Sequence, residues 1–486
     1  MTATRPFGSE PGAPWVGGRP PAADAVDQLC LELAEVCYSA VDPFEIAAAL
    51  EVEAGLTNRA ANRYGYPDVF ALAEEIYRRT TCLPVEPGPQ PDPWDVGVGA
   101  HVLHGAVYGL PLLCYAAITP MPREAGALTV VVASMLTSWM LGQGLAHLGY
   151  ARLARSDPGG AARLLRAGLG AAAFVVLMVV IAVALSAPVP APVLVFAVAQ
   201  GIFLLGATVL LVLRAHRWLL VTLVPGVLAG ASLLLGQPEP LAGLSWLPLV
   251  GSAVLAARFA VASTGNPAPG ARGFRLGPEL RAALPHALFG LVAAGLLVFP
   301  VMVIDPGQGP GLSVAALLIL ALSLSMGAAQ WSRYRYRRQV QVLLRACHTP
   351  RPFARAARLL VLTALIRYAA VAALLIAATL AIALRAGATD PGWTALGTGV
   401  SSLALGAALF VAALLQKVRG GLITVLACGM ALAFQIAPAV GSPSAWAGSA
   451  GSFSDVVAVQ LLTSSVLLGG LLLGCWTVLG RVETHV

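Results

Sequence analysis

Beyond Val96 the chain carries twelve apolar stretches of about 19–25 residues, each long enough to cross a hydrocarbon core ~30 Å thick as a helix. Lipid offers the backbone no hydrogen-bond partners, so stretches of this length without a two-residue alternation are expected to be helical. Their approximate spans are 97–119, 126–149, 165–187, 190–213, 218–236, 241–263, 283–305, 312–331, 359–384, 394–416, 421–440 and 456–480. Apolar residues make up 58% of the chain and charged residues only 11%, against roughly 25% charged in a soluble domain, which excludes a soluble enzyme. No phosphate-binding loop, HExxH or GxSxG pattern occurs, so the chain reads as no enzyme, with no cofactor and no metal site.

The charge is divided between two unlike parts. Residues 1–96 hold six Arg and fifteen acids, a net −9, whereas residues 97–486 hold 24 basic and eight acidic groups, a net +16. The positive charge lies between apolar runs, where it reports orientation in a membrane rather than a polyanion, and nucleic acid is rejected as a partner. With the N-terminus placed in the cytosol, inside loops and adjoining span ends contain 21 basic residues; outside loops contain Arg123 and Arg385 alone. That asymmetry implies twelve helices with both termini cytosolic. An arginine-rich, Ala- and Gly-rich composition fits a bacterial inner membrane protein.

Residues 1–21 are rich in Pro and Gly and read as a disordered tail with no basic, then apolar, leader. Residues 22–83 show apolar residues at helical spacing, punctuated by Asp42-Pro43 and Pro67-Asp68, each a helix-start signal, and so form a small cytosolic helical domain. Residues 84–96 are a Pro-rich linker, followed by a six-helix bundle over 97–263, a cytosolic connector over 264–282, a second six-helix bundle over 283–480 and a cytosolic tail over 481–486. The seven cysteines contain no CxxC pair and read as buried thiols.

The two bundles carry an internal echo. Ser138 to Gln143 (SWMLGQ) and Ser325 to Gln330 (SMGAAQ) close the second and eighth spans, and AARLL recurs at 161–165 and 356–360 as the next helix opens. Equal placement in two sets of six helices supports a duplication of the kind many transporters use. The segment GQGLAHLGYARLARSDPGGAARLLRAGLG (142–170) resembles the helix 2–loop–helix 3 region of the multidrug/oligosaccharidyl-lipid/polysaccharide (MOP) exporter superfamily, and is more similar to its polysaccharide branch than to its drug-exporting branch. The resemblance implies an all-α, polytopic fold of twelve transmembrane helices in two six-helix halves, acting as a flippase or exporter of a lipid-linked oligosaccharide or exopolysaccharide by alternating access. Precursor flippases of this superfamily place several cations in the cavity, whereas here Arg367 is the single arginine well inside a span. The loop signature of the major facilitator superfamily is not met, since Asp157 is followed by Pro158-Gly159-Gly160 rather than by arginine.

Candidate substrate-binding residues are the polar groups that would be costly against lipid. Arg367 either faces a cavity or snorkels toward the headgroups about 13 Å away. His101, His104 and Tyr108 fall on one stripe of the first membrane helix, facing a cavity or the interface. Gln200, Gln435 and Gln460 point into the bundle, as interhelical hydrogen bonds or as partners for sugar hydroxyls. The run Trp331 to Arg338 reads as an interface anchor beside anionic lipid or as an attractor of phosphate-bearing substrate, and GxxxG at Gly105/Gly109 and Gly226/Gly230 as close packing. The expected partners are membrane lipid, a saccharide or lipid-linked substrate, and a cytosolic protein docking on 22–83. Two other functions stay open: an ion-coupled exporter of small hydrophobic or cationic compounds, and a non-transporting membrane scaffold.

Overall fold

The computed structural model describes residues 25–40, 42–52, 55–79, 98–116, 125–234, 246–265, 276–304, 314–346, 350–385, 392–416, 421–441 and 451–478. The expected tail 1–21, the linker 84–96, the C-terminal tail and most of the connector 264–282 lie outside them. The chain divides into two compact units, 1–95 and 96–486.

Among the described residues of the first unit, the short α-helices α1 (Ala25–Glu32), α2 (Ala34–Ser39), α3 (Pro43–Val52), α4 (Asn58–Ala61) and α5 (Val69–Arg79) enclose a core of Val26, Leu29, Cys37, Ile46, Leu50, Val69, Leu72 and Ile76. Both punctuation signals act as helix caps. The Phe44 amide donates to Asp42 Oδ1 at 2.8 Å and the Ala71 amide to Asp68 Oδ1 at 2.7 Å, so each aspartate satisfies an amide that the first turn leaves unpaired. At the far end of α5, Glu75 receives Arg78 and Arg79 at 2.7 and 2.6 Å, and Arg79 reaches Asp27 of α1 at 3.0 Å. The hydrogen bonds from Arg78 and then Arg79 hold the Glu75 carboxyl down at about 2 from an ordinary 4.5. A depressed carboxylate contributes stability that is complete above its unfolded value and is lost as pH falls through its folded value. Protection of α5 amides from hydrogen exchange, corrected for intrinsic rate, is therefore expected to fall between pH 4.5 and 2, and Glu75→Gln should remove that component. An unchanged pH profile in the variant would show that Glu75 does not couple to folding.

Among the described residues the second unit holds twelve longer helices at the positions of the twelve apolar stretches: α6 (Val98–Ala116), α7 (Ala125–Leu153), α8 (Pro158–Ser186), α9 (Ala191–Val212), α10 (His216–Leu234), α11 (Leu247–Ser263), α12 (Leu276–Ile304), α13 (Val314–Ala346), α14 (Pro350–Arg385), α15 (Trp393–Leu415), α16 (Gly421–Gly441) and α17 (Gly451–Val478). Among the described residues, eight are long and apolar enough to cross a membrane by length and composition, and Leu247–Ser263 is a shorter apolar helix. The described elements are all helices, and the chain is a polytopic membrane protein. Two helices extend well past the expected spans: α13 runs to Ala346 and α14 starts at Pro350, so what the sequence suggested as a cytosolic loop is mostly helix. The physical reason is that residues 332–346 contain no Gly or Pro and are largely good helix formers, until Pro350 restarts the chain.

The two sets of six helices pack alike. In the first set α7 touches α8 and α9, α9 touches α8 and α11, α10 touches α11, and α6 touches α10; in the second, α13, α14, α15, α16, α17 and α12 repeat each of those pairings in the same roles. The principal contacts between the sets are α6 with α13 and α7 with α12, and exchanging the halves turns one pair into the other. This is the duplication suggested by the repeated segments, now visible as a pseudo-twofold arrangement.

Each crossing is made by a glycine against a carbonyl. A Cβ on Gly105 of α6 would stand 2.6 Å from the Leu324 carbonyl oxygen of α13; one on Gly290 of α12 would stand 2.8 Å from the Trp139 oxygen of α7. Backbone cannot yield as a flexible side chain can, so at both places only hydrogen on Cα allows the helices so close. The GxxxG at Gly105 and Gly109 is thereby close packing, as expected, and its partner is the opposite half.

Candidate functional site

Arginines gather at one end of the second unit, where α7, α9 and α13 finish and α8, α10, α12 and α14 begin. Two turns there share an unusual backbone. Just past both α7 and α9 a backbone amide returns to the carbonyl five residues earlier, Asp157 to Arg152 at 3.1 Å and Ala215 to Leu210 at 2.8 Å. Such a stop needs a left-handed residue, normally glycine, yet Ser156 and Arg214 occupy it with φ of 55° each. A side chain in that region costs about 1–2 kcal/mol, so at Arg214 the fold holds the backbone of an exposed arginine against local preference.

The basic run on α13 is split by the helix into two faces. Trp331, Arg335 and Arg338 lie on one: Arg335 stacks over the Trp331 ring at 5.1 Å and both arginines are exposed. This face fits the anchor reading, as do Arg217 over Trp218 at 5.3 Å and Arg358 over Trp476 at 5.3 Å. Arg333 and Arg337, four apart, lie on another face and are half-buried. The strongest influences on Arg333 are burial, the phenols of Tyr108, Tyr334 and Tyr150, and the like charge of Arg337. Among the described residues no ion pair involves Arg333.

These groups come from both halves. Tyr108 belongs to α6, Tyr150 to α7 and Arg214 to the α9–α10 turn, whereas Arg333 and Tyr334 belong to α13; Tyr150 feels Arg214 and Arg333 together. The antiparallel packing of α6 on α13 explains how Tyr108 and Arg333 approach across about two helical turns. Side chains lean toward the N-terminus of their own helix, so the phenol and the guanidinium lean toward each other. Tyr108 is 37% exposed, Tyr150 51%, and both act on one half-buried arginine. Arg333 and the phenols of Tyr108 and Tyr150 thus lie near one another at the junction of the halves, and guanidinium and phenol are groups of a kind that can donate to an anion.

The second crossing is closed at the same end. Arg152 of α7, its side chain 7% exposed, donates to Glu279 of α12 at 2.7 Å and to Asp157 at 3.2 Å, with Arg155 3.7 Å from Glu279. The Gly160 amide and then Arg152 hold the Asp157 carboxyl below its ordinary range. One step deeper, the rings of His147 and His286 stack at 3.9 Å. At that spacing two imidazolium charges would repel, so the contact requires at least one neutral ring. A cavity of about 130 Å³ lies here, lined by His147, Arg152, Arg155, Pro278 and Glu279.

The candidates read from the sequence are scattered. Tyr108 is near Arg333. His101 and His104 are on α6, but their side chains lie outside the described residues. Arg367 is half-buried on α14 with Nη1 enclosed and without a hydrogen-bond partner, beside Tyr368, which receives a hydrogen bond from Ser325 at 3.2 Å and stacks on Phe410 at 4.9 Å. It is not among the groups that act on Tyr108. Gln200 of α9 donates to the Val131 carbonyl at 3.4 Å while its Oε1 has no partner, at the edge of an apolar cavity of about 50 Å³ with Pro111, Phe203 and Ser252. Gln435 is fully buried on the α16 stripe Cys428, Ala431, Leu432, with neither amide atom paired, and Gln460 Oε1 on α17 is likewise unpaired. Sequence reading named Arg333 only as part of the run Trp331 to Arg338, as anchor or as attractor of a phosphate-bearing substrate, and did not single out Arg214, Tyr150, Arg152 or Glu279 as site residues; the one available signal was that a helical reading of 331–338 separates its arginines onto different faces.

Among solved structures, the chain is similar to a MATE protein in complex with Br-NRF. The identity is 14%, the match covers 81% of this chain and 98% of that one, and the TM-score is 0.47. No family model matches the sequence, and no curated protein does. The duplication described above accordingly rests on the pairing of this chain's own helices.

Proposed function

We propose that the protein is a membrane transporter of the alternating-access kind that carries an anionic, phosphate-bearing amphiphile, a lipid-linked oligosaccharide or a related saccharide precursor, outward across a bacterial inner membrane. The observation that carries this reading is Arg333, a half-buried guanidinium of one half faced by Tyr108 and Tyr150 of the other, with like charge and phenols as its neighbours. A half-buried cation that meets no carboxylate among the described residues is costly unless an anion completes it. Two pseudo-symmetric halves that meet mainly along two helix pairs supply the rocking elements. Closure by Arg152 and Glu279 at the arginine-rich end, the cytosolic end by the positive-inside argument, supplies the gate. The same positive charge disfavours a cationic substrate.

Reconstitution tests the reading. Protein in liposomes holding a fluorescent polyprenyl-diphosphate saccharide should expose the label to a membrane-impermeant quencher faster than protein-free liposomes. A neutral polyprenyl saccharide and a lipophilic cation should move slowly. Equal movement of the neutral analogue would remove the phosphate from the mechanism, and movement of the cation alone would replace the saccharide by the second class of exporter.

A further inference from the structure

The first unit carries an apolar face that its own core does not use. Phe44 and Phe70 each occupy the second position of a helix just after its capping aspartate, and α3 packs on α5 so that the two rings meet edge to face, 6.0 Å apart at 62°. Nevertheless Phe44 is 69% and Phe70 51% exposed. Two turns along α3 from Phe44, Val52 is exposed as well, and Glu45, Ala48, Glu51 and Glu74 are exposed on the same stretches of α3 and α5. Large apolar side chains next to one another and rimmed by charge mark an interaction surface rather than scattered exposure.

The charge around the face selects the occupant. Residues 22–83 contain eleven acids and four arginines, and two of those arginines are engaged with Glu75. The same unit of a second copy would bring the same excess of negative charge, anionic lipid would be repelled, and nucleic acid would be repelled more strongly. We propose that the Phe44–Phe70 face is a docking surface for a basic amphipathic helix of a partner protein, the aromatic pair receiving its apolar stripe and Glu45, Glu51 and Glu74 its flanking lysines or arginines. An aromatic pair at the centre with carboxylates at the rim is the arrangement in which truncating the centre costs most affinity and neutralising the rim costs mainly association rate.

The test uses the full chain in zwitterionic lipid nanodiscs, with empty discs as blank. The probe is a fluorescein-labelled helical peptide with leucine on one face and lysine on the other. Its controls are the same peptide with leucines replaced by serine, and one with lysines replaced by glutamate. The leucine/lysine peptide should bind and both controls should not. Phe44→Ser with Phe70→Ser should weaken binding at least about tenfold, and Phe44→Leu with Phe70→Leu should largely retain it. Glu51→Gln with Glu74→Gln should weaken it about two- to fivefold at low salt, the difference vanishing at high salt. Glu32→Gln, exposed on α1, should change little. Undiminished binding by the serine variant, equal binding of the glutamate peptide, or a drop in particle mass by light scattering on serine substitution, which would mean that a second copy covers the face, would each overturn the proposal. Hydrogen exchange of α3 and α5 in the serine variant distinguishes a lost surface from a lost fold.

Discussion

Replacing Arg333 by glutamine is expected to stop transport while leaving expression and thermal stability near those of the unsubstituted protein. The guanidinium is half-buried near tyrosines of both halves and is in no ion pair among the described residues, so removing its charge relieves a desolvated cation instead of stranding a partner. A hydrogen bond to a charged group contributes about 1.5–3 kcal/mol, so binding of a phosphate-bearing substrate should weaken about ten- to a hundredfold. Arg333→Lys keeps the charge but not the two-pronged donor geometry and should fall between. Arg335→Gln is the internal control: Arg335 is exposed and stacked on Trp331, two residues away on the anchor face. The measurement is quencher accessibility of the labelled diphosphate lipid in proteoliposomes, across a substrate series so that affinity separates from turnover. Wild-type transport by Arg333→Gln would remove Arg333 from the mechanism, and equal loss in Arg335→Gln would reduce the run to an anchor.

The reason Arg333 was not set apart from its neighbours in the run 331–338 by sequence reading also explains how much of the fold was legible. Spans are legible because an apolar run of fixed length has one solution in lipid, and α9, observed at Ala191–Val212 against an expected 190–213, differs by one residue at each end. Helix starts in the first unit are legible because Asp42 and Asp68 satisfy a local need. The pairing of α6 with α13 and α7 with α12 is long-range; Gly105 hints at close packing but does not say against which helix. Arginines 333 to 338 read as a positive-inside loop because charge counting treats them as one group, whereas a continuous α13 sends Arg335 outward and Arg333 toward Tyr108. Arg367 stood out because it is solitary within a span, and the deciding interaction, Tyr108 with Arg333, joins residues 225 positions apart that only the duplicated fold brings together. The orphaned atoms of Gln200, Gln435 and Gln460 follow the same logic: burial was foreseeable from polarity within a span, and the missing partners were not.

Glu279→Gln is expected to open the arginine-rich end. Glu279 is the acceptor through which Arg152 of the first half reaches the second, at 2.7 Å with both side chains largely buried. Neutralising it leaves Arg152 with Asp157, a partner in its own half, so the loss falls on the tie between halves and not on the folding of either. A charge-assisted contact of about 1.5–3 kcal/mol corresponds to a shift of about ten- to a hundredfold in the ratio of closed to open forms, enough to populate an open form that is otherwise minor. Spin labels at Ala154 and Arg281, both exposed and on opposite halves, should then report a longer distance population in the variant. Asp157→Asn separates gate from cap: asparagine still accepts from the Gly160 amide at the start of α8, and the cross-half bond is untouched, so its distance distribution should match that of the unsubstituted protein. Opening by Asp157→Asn and not by Glu279→Gln would place the tie within the α7–α8 turn. Unchanged distances in both would leave the halves held by the glycine crossings alone, and alternating access would then have to be sought in a different pair of helices.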